Sequence, residues 1–194
     1  MKKTAIAVLV VIFIIGLSQA VFAKSARTSR TTTSYSSGEY EVDGSFGFAT
    51  GPGDFGSGFG VNFGFGAMLP TIDPNLQARV DISYFDFSYD YGYLGYGYNL
   101  DYTRIPVTFS ARYYFPINDR LKAFAQAGLE MSFDSYDYVA AGYKHSESDV
   151  NLGLSPGGGI EFTLNPQVSI FALGRIHMIS DDYFSMQFGG AFHF

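Results

Sequence analysis

The stretch YFSMQFGGAFHF, Tyr183–Phe194, decides how the rest of the chain is read. Counted back from its end, every second residue is apolar or Gly: Phe194, Phe192, Gly190, Phe188, Met186 and Phe184. Between them stand Tyr183, Ser185, Gln187, Gly189, Ala191 and His193, small or polar apart from one aromatic. A period of two sustained over this length is a β-strand with two unlike faces. At about 3.3 Å per residue and a tilt of roughly 45°, such a strand is long enough to cross the hydrocarbon layer of a bilayer. The last strand of a soluble sandwich also alternates, so the choice between water and lipid rests on the other strands.

At the opposite end, Lys2 and Lys3 precede an unbroken apolar run, AIAVLVVIFIIGL, from Ala5 to Leu17. That run is shorter than the ~20 residues a membrane-spanning helix requires. A basic start, an apolar middle and a small-residue exit predict a cleaved secretory signal over residues 1–23, with Val21 and Ala23 placed for cleavage before Lys24. A cut after Ala20 is the second choice, and the run is followed by no Cys that would take a lipid anchor. Residues 24–37 (KSARTSRTTTSYSS) are polar and aperiodic and read as a flexible leader. Residues 38–194 remain as one domain.

Composition narrows the class. Gly (23), Phe (20) and Tyr (15) are abundant while only 15% of residues are charged, which suits an apolar-clad β structure better than a helical enzyme. The chain has no Cys, so disulfides and thiolate zinc sites are excluded. Loss of Lys2 and Lys3 with the signal takes the formal charge from −6 to −8, a balance that disfavours nucleic acid as a partner.

Eight alternating stretches follow Glu39, separated by turn signals. In SGFGVNFGFGAML, Phe59, Val61, Phe63, Phe65, Ala67 and Leu69 oppose Gly58, Gly60, Asn62, Gly64 and Gly66. In LDYTRIPVTFSARYYF, Ile105, Val107, Phe109, Ala111, Tyr113 and Phe115 oppose Arg104, Pro106, Thr108, Ser110 and Arg112. Turns two, four and six are short and built from Pro, Asn and Asp, whereas connection three, rich in Tyr and Gly, reads as a long loop or an extended hairpin tip and connection five as a polar loop. Pro106 and Pro156 lie inside strands, where the missing N–H predicts a bulge or bend. Phe171 and Leu173 place apolar bulk on the polar side and are the weakest part of the pattern.

The polar faces hold five acids, Glu41, Asp43, Asp81, Glu130 and Glu161, and five bases, Arg79, Arg104, Arg112, Lys122 and Arg175. Equal counts are what a sealed interior requires, since an unpaired buried charge costs several kcal/mol. The apolar faces carry no charge within their central bands, which argues against a soluble sandwich or a lipocalin-like barrel. Lipid tolerates no open sheet edge, so the strands are expected to close. The expectation is an all-β, eight-stranded antiparallel up-and-down transmembrane barrel with a plugged interior. Asp54, Asp86, Asp90, Asp101, Asp134, Asp137, Glu147, Asp149, Asp181 and Asp182 fall in the connections of the longer-loop rim, opposed only by Lys144.

The alternating strands, the short turns at one rim, the stretch RIPVTFSARYYFP (Arg104–Pro116) and the terminal FHF together resemble the small eight-stranded outer-membrane β-barrel family. The transmembrane domain of outer-membrane protein A and outer-membrane protein X represent it. The resemblance implies a Gram-negative outer-membrane location, contact with outer-membrane lipid and lipopolysaccharide, and insertion by the barrel-assembly machinery. It implies that Phe188, Phe192 and Phe194 act as a C-terminal assembly signal. It further implies a structural, envelope-integrity or adhesion-like role, with a surface ligand taken through the loops.

No catalytic, cofactor-binding or metal-ligating residue is expected from motif spacing. GPGDFGSGFG is hairpin glycine and not a phosphate cradle. His145, Ser146 and Glu147 are adjacent, but neighbouring side chains on a strand point to opposite faces and do not meet. His177, beside Arg175, belongs to the polar interior. A non-enzymatic role is therefore expected, with a barrel enzyme acting on lipid, or a narrow small-solute pore, as the alternatives.

Overall fold

The computed structural model describes residues 39–51, 56–93, 96–140 and 143–194. The expected signal and leader, residues 1–37, lie outside them. The alternating stretches form nine strand segments: β1 (Tyr40–Thr50), β2 (Ser57–Met68), β3 (Leu76–Tyr93), β4 (Tyr96–Pro116), β5 (Leu121–Ala140), β6 (Tyr143–Leu154), β7 (Gly157–Asn165), β8 (Val168–His177) and β9 (Tyr183–His193). All pairings are antiparallel, and β1 pairs with β9 to close the sheet on itself. β6 and β7 both pair with β5, end to end, and make one stave. The result is an eight-staved closed barrel, and no helix occurs among the described residues.

Neither proline produces a bulge. Pro156 and Ser155 interrupt the sixth stave, yet β5 keeps one register on both sides of the gap. At Pro106 the ladder between β3 and β4 lapses opposite Ser83 and Tyr84, again without a shift. A missing donor here removes ladder bonds and leaves the strand's phase intact. The register shift among the described residues lies between Thr163 and Asn165, where β7 meets its short turn to β8.

Among the described residues both long connections are strand: the third is the extended-hairpin alternative, and the fifth differs from the expected loop. β3 and β4 run to Tyr93 and Tyr96, and β5 and β6 run to Ala140 and Tyr143. β4 has 21 residues, about twice the 9–11 that cross a membrane. Tyr-rich, β-favouring sequence continues the ladder past the bilayer band. The four segments β3–β6 therefore project beyond the band as a sheet. Among the described residues, β6 above the Leu154–Met178 bridge pairs with β5 alone, which leaves its second edge unpaired there.

The faces sort as the alternation requires. Phe63, Phe109, Leu129, Ile160 and Phe188 are exposed on the outer side, whereas Arg104, Arg112 and Glu130 are at most 1% exposed on the inner side. Two apolar clusters lie inside as well. Phe85, Phe87, Tyr102, Tyr183 and Ala49 fill the half of the lumen nearer the long hairpins. Tyr114, Phe124, Phe171, Leu173 and Ala191 form the second cluster. Phe171 and Leu173 break the sequence pattern because they are lumen-filling side chains.

β2 shows how the lumen accommodates so much bulk. Its inner side is Gly58, Gly60, Asn62, Gly64 and Gly66, beside the large inner residues of β3. A Cβ on Gly58 would strike the Phe87 ring and one on Gly60 the Phe85 ring. A Cβ on Gly64 would enter the Arg79–Asp43 contact. Small residues on one strand thus make room for long ones on the next.

Candidate functional site: the sealed lumen

Inward-pointing residues of β1, β3 and β4 meet first around Arg79. Its guanidinium bonds Glu41 and Asp43 and lies 3.0 Å from Asp81. Gln77 and the Tyr114 hydroxyl donate to Glu41 Oε2 at 3.0 and 3.1 Å. Arg175 reaches the other oxygen of Asp81 at 3.2 Å. Three carboxylates on one guanidinium are tolerable because Arg175, and Arg112 at 3.6 Å from Glu41, share the charge. Arg112 also donates from Nε and Nη2 to Gln126 Oε1, and its guanidinium lies 4.2 Å from the centre of the Phe124 ring.

A second cluster lies nearer the long hairpins. Arg104 forms a fork on Asp134, Nε to Oδ1 and Nη2 to Oδ2, both 2.9 Å. Ser132 and Asn151 donate to the same carboxylate, and the Tyr102 and Tyr183 rings flank the guanidinium. Asp134 was expected among the loop acids, and the structure instead buries it at 2% exposure. The sequence placed it just past the clean alternation of β5, and its phase becomes visible only once that strand is known to continue.

Of the ten polar residues assigned to the interior from sequence, Glu41, Asp43, Arg79, Asp81, Arg104, Arg112, Glu130, Glu161 and Arg175 are buried. Lys122 is half-buried, with its ammonium 5.3 Å from the Tyr114 ring centre. With Asp134, the acids outnumber the fully buried arginines by six to four. Two histidines, His177 and His193, occupy the same interior.

His177 completes a hydrogen-bonded chain whose residue types match those of an acyl-transfer enzyme. Its Nδ1 lies 2.6 Å from Glu130 Oε2 and its Nε2 2.9 Å from Ser185 Oγ. A hydroxyl, an imidazole and a carboxylate in this order are the parts of an activated nucleophile. Ser185 and His177 are both fully enclosed, and the Tyr183 ring stacks flat on the imidazole at 3.9 Å. The three side chains are buried among the residues that fill the lumen. Residue spacing concealed the chain, because Glu130 comes from β5 while His177 of β8 and Ser185 of β9 are diagonal neighbours, paired in register with Tyr183 and Arg175 respectively. In the adjacent group considered from sequence, Ser146 Oγ donates to Asp137 at 2.6 Å on the exposed hairpin. The side chain of His145 lies outside the described residues.

At the C-terminus, the Phe194 ring stacks on Tyr40 and Phe192. Its backbone N–H and C=O exchange two 3.0 Å bonds with Tyr40, which closes the seam between the first and last strands. Phe188 and Phe192 face outward, exposed.

The model of the outer membrane protein β-barrel domain matches residues 9–192. The chain belongs to this family. It is a transmembrane β-barrel of the bacterial outer membrane. No curated protein matches the chain. Among solved structures, Ail, the attachment invasion locus protein of Yersinia pestis, is 18% identical with a TM-score of 0.53. That match covers 80% of this chain and 99% of Ail. Neisserial surface protein A is 19% identical over 80% of this chain and 97% of its own, with a TM-score of 0.52. OprG from Pseudomonas aeruginosa is 13% identical over 81% and 96%, with a TM-score of 0.60. At these identities the likeness is one of fold.

Proposed function

We infer that this chain is a non-enzymatic envelope barrel that acts through its projecting β3–β6 sheet and leaves its lumen plugged. One contrast carries the inference: the interior buries its largest polar side chains, Arg104, Arg112 and Arg175, to 1% exposure or less, while β3–β6 run well past the bilayer band. A plugged lumen gives rigidity and no path for solute. The projecting sheet offers open strand edges, and an extended segment of another chain can add to such an edge. Its exposed Glu147 and Asp149 on β6 guard that edge against indiscriminate pairing.

In this reading the short turns face the periplasm and the long hairpins face outward, in contact with lipopolysaccharide. Ail has been crystallised with the heparin analogue sucrose octasulfate. The long-hairpin rim of this chain is acidic, with exposed Asp86, Asp101, Glu147, Asp149, Asp181 and Asp182, so the ligand it favours is cationic. Phe194 serves assembly as well as closing the seam, being the residue presented to the barrel-assembly machinery.

The Ser185–His177–Glu130 chain favours one alternative, an enzyme acting on lipid esters after an opening of the ring cluster above it. Purified protein in liposomes separates the readings. The plugged barrel is expected to give no stepwise conductance and no acyl release, and to bind poly-lysine in a salt-sensitive way while ignoring heparin. Acyl release abolished by Ser185→Ala overturns it in favour of the enzyme, and steady conductance overturns it in favour of the pore.

A further inference from the structure

Beside the first and last strands, one acid in the lumen lacks the partners that the others have. Glu161 of β7 is completely buried, and neither of its carboxylate oxygens receives a hydrogen bond. Among the described residues its one ion-pair neighbour is His193 of β9, whose Nε2 lies 3.5 Å from Glu161 Oε1. His193 Nδ1 lies 3.7 Å from Glu41 Oε2 on β1. One ligand atom from each of Glu41, Glu161 and His193 falls within 4.8 Å of the other two. The three come from different strands, near the seam closed by Tyr40 and Phe194.

We propose that Glu41, Glu161 and His193 bind a divalent cation of zinc type, which ties β7 to the seam between β1 and β9. The donor set is an imidazole and two carboxylates, all accepted by zinc, and no thiolate is needed. Bonds of about 2.0–2.1 Å in a tetrahedral array put two donor atoms about 3.4 Å apart. The 3.5 Å between Nε2 and Glu161 Oε1 already has that spacing, while Glu41 makes its 3.7 Å contact with Nδ1, so a cation on Nε2 draws the Glu41 carboxylate round to that side. Ser169 Oγ, 2.9 Å from the same nitrogen, gives way to the metal or contributes to its shell. Glu41 is already held by Arg79, Gln77 and Tyr114, and these orient it as outer-shell residues orient a ligand. Glu161 has both oxygens unspent and contributes the greater part of the new bonding. His193 keeps 6% of its side chain accessible, which places the way in at the short-turn rim.

Lys122 is the competing cation. It is the register partner of Glu161 on β5, half-buried, with its ammonium over the Tyr114 ring. Its reach toward Glu161 would neutralise the same acid without metal.

The test is calorimetric titration of zinc chloride into the untagged, chelator-treated full barrel in detergent micelles. Wild type is expected to take one equivalent, and Glu161→Gln and His193→Gln each to weaken binding at least tenfold. Lys122→Gln is expected to bind as tightly as wild type or tighter. Thermal unfolding of wild type, but not of Glu161→Gln, is expected to shift upward with zinc. Should a variant fail to fold, imidazole ¹⁵N resonances of wild type decide, because zinc must then move those of His193 and leave those of His145 and His177. No zinc uptake, equal affinity in the Gln variants, or a response at His145 instead overturns the proposal.

Discussion

Removal of Arg104 measures what the lumen's ion pairs contribute. The guanidinium makes two 2.9 Å bonds to Asp134 and neither side chain is exposed. In Arg104→Met, Asp134 keeps its bonds from Ser132 and Asn151 but loses its counter-charge while it stays buried. Breaking a buried pair from one side costs about 3–5 kcal/mol. Asp134→Leu should cost a similar amount, since it strands the guanidinium between the Tyr102 and Tyr183 rings. In the double variant no charge is left unpaired, and replacement of a whole buried pair by apolar groups is often neutral. The double variant is therefore expected to lie several kcal/mol closer to wild type than the sum of the singles. Urea-dependent folding into lipid vesicles, with each variant refolded from the unfolded side, reads these differences. Additive costs, or a loss below about 1 kcal/mol for either single variant, would refute the claim that the two charges hold one another in a sealed space.

Further expectations concern the two faces, the glycines and the seam. Phe63→Arg, at mid-band on the outer face, should cost about 2–4 kcal/mol in the same assay, and Phe115→Arg near the short-turn rim about 0–1. Gly64→Val should cost about 3 kcal/mol or more, because its Cβ enters the Arg79–Asp43 contact and lies 2.7 Å from Asp81 Oδ1. Gly44→Ala should change stability by less than about 0.5 kcal/mol, since its Cβ meets only Phe63 ring carbons at 3.8 Å. Deletion of Phe194 removes the two backbone bonds to Tyr40 and should cost about 1–3 kcal/mol in vesicles. In cells the same deletion should lower the yield of folded barrel by more than that loss accounts for, as measured by heat-modifiable migration in gels.

The barrel was legible because a two-residue period is imposed wherever lipid wets one side of a strand and the lumen the other. Phe59 to Phe65 and Ile105 to Phe115 show that pressure without interruption. It weakens where both sides meet similar surroundings. β3 to β6 above the bilayer band have water around them, so the strand period fades along the tips. Asp134, the last buried residue of the period before them on β5, counts with the loop acids in sequence although its side chain faces the lumen. Phe171 and Leu173 misled in the other direction, since a narrow lumen accepts apolar bulk as readily as charge once glycine gives it room. Contacts across the lumen were illegible for a different reason. Ser185, His177 and Glu130, or Glu41, Glu161 and His193, are joined by strand stagger and barrel closure, and no spacing along the chain encodes either.

The central claim is that lipid touches the apolar face and that the polar face is sealed from both lipid and water. The chain has no Cys, so single spin labels can be placed one at a time at residues 105–111 in lipid vesicles. Oxygen and water-soluble nickel collisions with each label report the two phases. The expected result is oxygen access at Ile105, Val107, Phe109 and Ala111, with little collision of either reagent at Pro106, Thr108 and Ser110. Oxygen maxima at Pro106, Thr108 and Ser110, or nickel access to them, would contradict it.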